Sequence, residues 1–504
     1  MRLTRMWPWW LLSVMTLLAL LPCFSKGPID ARTLSSVSGV HLEYPWSGVV
    51  IEPLLALGHM VIEAPNFRLA FLSFGAWIIG LIFLTGIVTG TGWSRLLRGS
   101  SWSAIAVFIL ILYSLFMALV PLPGYRLTVD DPDVIVADLH SHTFGSHDGL
   151  ITAEENLRSH QDRGYQVVAV SEHNLPEGSF SALALAQQHP ELPGVIPGVE
   201  VRADDDEYLL GLGIQPGKEV PIRSSESGAE YERNFIKYIH GEGGAVVALS
   251  WLLEPWHVDK LAALGVNGIE MTNTGHPDVP GDVRAELLNV SSHGVRMIAS
   301  TDWHGWGGIL RAWTLVRVPG SASLNNQAKA QAVLQVLKSG QTNAITPVEA
   351  DFIGTPSLLR EIFAPVVEFI RYASDLSLPR VLSWWVWTIA ILAAAHWLRV
   401  RGFRPWHIGA AAICTLLGSS LLWRALQLLS ANVNGVPHEY AREIGSYAVW
   451  FAGIAFVTGI LLLQSKRFIM VTRAIPLPLP IPSPTIYPEP GLLTSEIVRQ
   501  DAAA

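Results

Sequence analysis

The sequence predicts an α/β domain, its strands largely parallel and barrel-like, set between two groups of transmembrane α-helices. Three observations predict it. Hydrophobic residues make up 50% of the 504 and charged residues only 15%, with a mean hydropathy of +0.35, which suits a membrane protein carrying a polar insert. Six apolar runs of roughly bilayer-crossing length fall three on each side of a long polar stretch. Within that stretch, short β-type runs alternate with helix-like or polar segments, the pattern of a parallel α/β arrangement.

The first apolar run, 7–23, follows Arg2 and Arg5. It reads as either a signal peptide or an uncleaved span, and the span is favoured because the small residues that precede a signal-peptide cleavage site are missing. Runs at 69–92, 102–122, 383–400, 406–428 and 444–465 follow, each near the ~20 residues that cross a bilayer. Trp102, Trp384, Trp385, Trp387 and Trp406 lie near their ends, where an interfacial aromatic belt is expected. Arg2 and Arg5, Arg95 and Arg98, Arg399, Arg401 and Arg404, then Lys466 and Arg467 mark alternate loops. Basic loops stay cytoplasmic, so the polar stretch is expected in the periplasm or at the cell exterior, with the chain integral to the cytoplasmic membrane. The organisation expected is a membrane region over 1–124, a soluble domain over 125–350, an amphipathic helix and linker over 351–382, a second membrane region over 383–467 and a Pro-rich disordered tail over 468–504.

Charge narrows the function. Residues 131–350 carry 28 Asp and Glu against 14 Lys and Arg, an acidic balance unsuited to a nucleic-acid backbone, which needs a basic face. Small substrates and metal cations fit better. The two cysteines, Cys23 and Cys414, lie in apolar runs, so neither a disulfide framework nor a Cys-type zinc site is available. Ionisable residues inside the spans are few; Arg424 and His396 stand out. A transport pathway would be expected to show more.

The polar residues at the strand ends carry the chemistry. "VIVADLH" ends in His140, with His142 beyond it. "VVAVSEH" ends in His173, "IPGVEV" carries Glu200, and "MIASTDWH" ends in Asp302 and His304. In a parallel barrel the C-terminal strand ends meet at one mouth, and residues two apart on a strand share a face. Imidazoles and carboxylates together suit Mn, Zn or Fe.

These residues resemble the PHP family, named for its polymerase and histidinol-phosphatase members, over about 136–318. The motifs are "HSHT", "SHDG", "EHN", "GVE", "GIEMTN" and "STDWH". The resemblance implies a distorted (β/α)7 TIM-like barrel and a metal cluster that hydrolyses phosphoesters. It implies one metal on His140, His142, Glu200 and Asp302, and a second on His173, His304 and a loop ligand. His147 stands where the family's loop Asp usually sits, but Asp148 precedes the family's Gly, and Asp148 is the ligand expected. Two departures matter. Tyr208 in "YLLG" and Ser250 or Trp251 in "LSW" occupy positions where the family has histidines for a third metal. Two divalent transition metals per chain are therefore expected, with His257 or Glu254 as nearby substitutes for a third site. Arg202 and Arg311 are candidates to meet phosphate charge, and His276 could line the mouth; His189, His240 and His293 have no ligand context.

The function expected is a membrane-anchored phosphoesterase acting on a small phosphorylated substrate outside the cytoplasm. The competing expectation is a sensory module that binds metal or ligand and reports to the membrane helices.

Overall fold

The computed structural model describes residues 3–21, 27–62, 64, 67–89, 93–203, 207–221, 228–249, 254–273, 281–308, 311–350, 357–433 and 435–471. Before the soluble domain come three short strands, β1 Ile29–Asp30, β2 Ser35–Ser36 and β3 Val40–Glu43. Ten more follow in it: β4 Arg126–Val129, β5 Val134–Ser141, β6 Val167–His173, β7 Gly194–Arg202, β8 Tyr208–Leu212, β9 Ala245–Leu249, β10 Gly268–Asn273, β11 Arg296–Ser300, β12 Ala312–Arg317 and β13 Ile345–Glu349. Eleven of these form one sheet in the order β11-β10-β9-β8-β7-β6-β5-β12-β13-β1-β2, while β3 pairs with β4.

The sheet is mixed, and connection length explains why. β5, β6 and β7 are mutually parallel, as are β9, β10 and β11, because helices such as Ala153–Asp162 and Glu177–Gln188 supply the crossovers. Only residues 203–207 separate β7 from β8. That is too short for a crossover, and β8 runs antiparallel between β7 and β9. β12 likewise reverses against β5. The expected (β/α)7 barrel is thus an eleven-stranded mixed sheet whose ladder stays open between β11 and β12. It curls nonetheless. Beyond β11 the chain returns to β5 through a parallel bridge between Ser141 and Trp303, and Thr314 on β12 bonds both backbone groups of Ala299 on β11.

The helix Asn326–Lys338 lies across the N-terminal strand ends. Ala330, Val333 and Leu337 pack there with Ile135, Val167 and Ile298, while Gln327 bonds the backbone of Val195 and Lys338 that of Gly243. One end of the curled sheet is therefore filled with side chains. The ligand-type residues lie at the other.

Among the described residues, five helices are long and apolar enough to cross a membrane: Arg68–Thr85, Gly99–Leu119, Leu378–Val400, Pro405–Leu429 and Glu439–Gln464. The expected span at 7–23 forms a helix, Leu3–Leu20, but its apolar part, Pro8–Leu20, is shorter than a crossing. The amphipathic helix expected within 351–382 is two helices over the described residues, Leu358–Ile362 and Ala364–Ser374. Pro365, which has no N–H to continue the first, sits in the opening turn of the second.

The last two of the five helices form a hairpin closed by two-residue strands, β14 Asn432–Val433 and β15 Val436–Pro437. The hairpin grips the soluble domain. Arg424 is buried and donates to Leu119 O at 3.0 Å and Leu150 O at 2.6 Å, with Glu155 at 3.3 Å. His438 Nε2 donates to Ser146 O at 2.9 Å. On the other flank Arg380 pairs with the buried Glu52 at 2.8 Å and with the Tyr125 hydroxyl at 2.6 Å. The ionisable Arg424 thus serves the packing of the membrane helices on the domain. Arg424→Met should leave these acceptors unpaired and cost roughly 2–4 kcal/mol. Thermal unfolding in detergent should show a lowered midpoint, while the exposed Arg404→Met at the far end of the same helix should leave it in place.

Candidate metal centre

β5 delivers His140 and, one step past its end, His142, and both are fully buried. β7 brings Glu200, and the turn after β11 brings Asp302. His140 Nε2 lies 2.9 Å from His142 Nε2, and each stands 3.2 Å from both Glu200 Oε2 and Asp302 Oδ1. These four groups point at one spot. Asp302 holds its place with φ +50°, a left-handed conformation uncommon for a residue with a side chain and frequent at functional sites.

A second group adjoins the first. His173 Nε2 and His304 Nε2 are 3.2 Å apart, and Asp148 Oδ1 lies 3.4 and 3.5 Å from them. His173 Nδ1 also reaches Glu200 Oε2 at 3.2 Å, so one carboxylate oxygen faces both groups. All seven expected ligands are brought together. His147 belongs to a cluster with Asp148 and His173, but its side chain is 79% exposed. Asp148 Oδ1 is a buried oxygen without a hydrogen-bond partner. Such an atom is costly unless something electropositive meets it. Asp148, rather than His147, has the position of a ligand. The following Gly149 is required by close approach, since a Cβ there would lie 1.8 Å from Thr143 O.

The imidazoles are set as ligands. His140 Nδ1 donates to Glu270 Oε2 at 3.0 Å, His304 Nδ1 to the Asp302 carbonyl at 2.9 Å, and His173 Nδ1 faces Glu200. His142 Nδ1 lies 2.9 Å from Ser146 Oγ, whose own proton goes to Glu172 Oε2 at 2.6 Å. A carboxylate or carbonyl can only accept, so His140, His142 and His304 each donate from Nδ1, and the Nε2 atoms of all four imidazoles face the cluster. That is how metal-binding histidines are oriented. The arrangement fits a divalent cation.

The electrostatics agree. Burial lowers the basicity of His140 and His142, but Asp302, Glu270 and Glu200 outweigh it, raising His140 well above the usual imidazole value and His142 to about 9. Burial raises Glu200 and Asp302, yet the facing histidines hold both below the usual carboxylate range. His304, buried and beside His142, is pushed down to about 4. The centre favours positive charge.

Four supporting residues carried no role in the sequence reading. Glu270, on β10, orients His140 and is itself held by Ser300 and by Asn273. Glu172 gathers Thr143 and Ser146 and so shapes the loop. Asp138 binds His160 at 2.8 Å and Thr301 N at 3.0 Å, tying β5 to the residue before Asp302. Ser146 orients His142. The signal available was a carboxylate inside a buried apolar strand, which needs a partner.

Other expectations resolve differently. Tyr208 pairs in register with Arg202, two residues past Glu200. His257 and Glu254 form the start of the helix Pro255–Leu264, with His257 3.5 Å from Glu207, and join no ligand cluster among the described residues. Arg311 lines a cavity of about 930 Å³, shared with Arg163, Arg371 and Arg380, on which Trp303 also borders; it is not at the cluster. His189, His240 and His293 bond Glu191, Asn267 and Asn289. Ser250, Trp251 and His276 lie outside the described residues.

Two substitutions check the assignment. Asp302→Ala should cut metal content of the purified chain by elemental analysis, whereas His293→Ala should leave it unchanged. Glu270→Gln, which keeps shape but loses the charge behind His140, should weaken metal affinity about 10–100-fold in a chelator competition.

No protein-family model and no curated protein matches this sequence. Among solved structures, a protein assigned as a metal-dependent phosphoesterase, from Bifidobacterium adolescentis, is similar over 40% of this chain and 96% of its own, with 19% identity and a TM-score of 0.29. An amidohydrolase from Chromobacterium violaceum, with bound sulfate and no metal, is similar over 39% of this chain and 96% of its own, with 16% identity and a TM-score of 0.29.

Proposed function

We propose that the chain is a membrane-anchored, metal-dependent phosphoesterase of the PHP type, its curled sheet a distorted and incompletely laddered barrel. The observation that carries the reading is the inward set of four imidazole Nε2 atoms beside Glu200, Asp302 and Asp148. In this reading His140, His142, Glu200 and Asp302 hold one divalent ion, and His173, His304 and Asp148 hold another, with Glu200 facing both. Such a pair, when bound, supplies Lewis acidity toward a phosphoryl oxygen and acidifies water. The chain's own part is to hold these groups rigid with their Nε2 atoms turned toward the centre. Glu270 and Ser146 do so for the buried pair, and the Asp302 carbonyl for His304. His140 and His142 are sealed from water, while Asp148 and His147 open to solvent, which gives the substrate one side of approach.

A sensory module is the second reading. Its support is the contact of the membrane hairpin with the ligand loop, through His438 on Ser146 and Arg424 on Leu150. The full-length protein loaded with Mn, Zn or Fe and offered a panel of phosphoesters should release inorganic phosphate. Two bound metals with no phosphate released from any ester would favour the sensor.

Two metals per chain are proposed, because Tyr208 stands at a third-site histidine position and a third divalent ion would have too few ligands to compete with water. Tyr208→His with Ser250→His should raise the metal count from two toward three, and either change alone should do little. The domain is proposed to face the periplasm or exterior, as the basic loops at 95–98 and 399–404 stay inside. A phosphatase reporter fused after residue 350 should then be active; a silent one, with a cytoplasmic reporter active, would reverse the orientation.

A further inference from the structure

We infer that the substrate is a phosphate ester of a membrane lipid, presented to the metal centre from the bilayer surface. The inference rests on the phosphoesterase reading and goes beyond it, because the structure fixes where the centre sits relative to the spans. Gly307 N donates to Ala118 O in the last turn of the span Gly99–Leu119. Gly307 is three residues from His304. Leu150 O accepts from Arg424 on the span Pro405–Leu429, and Ser146 O accepts from His438, one residue ahead of the span Glu439–Gln464. Asp148 lies two residues from each. Two or three residues reach at most about 7–10 Å, and adding the hydrogen bond and the side chain that makes it puts both His304 and Asp148 within about 15 Å of a span end.

The bilayer supplies the comparison. Its hydrocarbon core is about 30 Å thick and the whole, with headgroups, about 40–45 Å, which leaves about 5–8 Å of headgroup on each side. A centre within about 15 Å of the span ends is therefore at, or a short way above, the layer where lipid phosphates lie. The N-terminal strand ends, filled by Asn326–Lys338, are at the far end of the sheet.

The rim matches such a substrate. Leu175, two residues past His173, is 55% exposed, and Trp306, two past His304, is 37% exposed. Trp306 packs edge-on against Tyr440 in the first turn of the last span. Aromatic side chains at this level suit the membrane interface. A lipid phosphate leaves its acyl chains in the bilayer and needs only its headgroup raised to the centre. Hydrolysis there puts the oxygen of water on phosphorus and breaks the bond from phosphorus to the lipid oxygen. That oxygen takes a proton, giving a lipid alcohol and inorganic phosphate.

Two measurements on the full-length protein test this. In detergent mixed micelles with Mn, phosphatidic acid should be hydrolysed at least ten-fold faster than glycerol phosphate at equal bulk concentration. The rate should also fall when phosphatidic acid is diluted with phosphatidylcholine at fixed bulk concentration. Equal rates, or no dependence on surface fraction, would overturn the lipid inference and leave a phosphoesterase. Release of phosphate from neither, while the wider ester panel does yield phosphate, would overturn the lipid inference alone; silence of the whole panel would overturn both. Independently of activity, a nitroxide on His147→Cys, reconstituted in phosphatidylcholine vesicles, should be relaxed by nickel tethered to lipid headgroups, and one on the exposed Gln335→Cys should not. A His147 label untouched by headgroup nickel would place the centre away from the bilayer and sink the inference.

Discussion

Seven ligand-type groups crowd a largely desolvated space, and four imidazoles there turn their lone pairs toward one another and toward three carboxylates. Lone pairs 2.9–3.2 Å apart repel unless a proton or a cation lies between them. Burial makes the choice sharper, because an unmet buried acceptor such as Asp148 Oδ1 forfeits its hydration without return. Much of the domain can be understood as holding that arrangement against its own repulsion. Glu270 pins His140, Ser146 and Glu172 pin His142 and its loop, and Asp138 ties the two backbone segments that carry His140 and Asp302.

The sheet makes the crowding possible. Parallel pairing of β5, β6 and β7 brings the ends bearing His140, His173 and Glu200 to the same side, in register: His173 is directly opposite Glu200. β8 then reverses, which keeps the neighbours of Glu200 close without spending a helix on the crossover. The curl of β11 back to β5 brings Asp302 and His304 across the mouth, and two hydrogen bonds, Asp302 N to His140 O and His142 N to Trp303 O, lock that seam at 2.9 Å. The left-handed backbone at Asp302 is the local cost of turning its carboxylate inward.

The membrane helices are part of this construction. Leu150 belongs to the same apolar cluster as Leu112, Phe116, Leu417 and Leu421, so the loop that carries Asp148 is anchored on the spans. Four acceptors on the buried Arg424, from Leu119, Leu150, Glu155 and Gln427, replace the hydration that a buried guanidinium loses. The ligand loop and the membrane helices therefore cannot move independently without breaking buried hydrogen bonds.

The sequence by itself determined the strand-end ligands and the apolar runs, because both are local. Alternation along one strand puts His140 near His142, and the length of an uninterrupted apolar run is what a bilayer selects. It also held the choice between His147 and Asp148 open, since a loop has no fixed period; only the fold shows which side chain is buried with an unmet oxygen. The direction of β8 was written in the length of the 203–207 connection, yet the partners of Glu270, Glu172 and Asp138 were not. A buried carboxylate announces that it needs a partner, but partners such as Thr143 for Glu172 and Thr301 for Asp138 lie 29 and 163 residues away in sequence and are chosen by the curl of the sheet. The docking of Arg424 on Leu150 and His438 on Ser146 was likewise decided by tertiary structure alone. Long-range hydrogen bonds leave no periodicity in a sequence, and so the closeness of this cluster to the ends of the long apolar helices could be known only once the chain was folded.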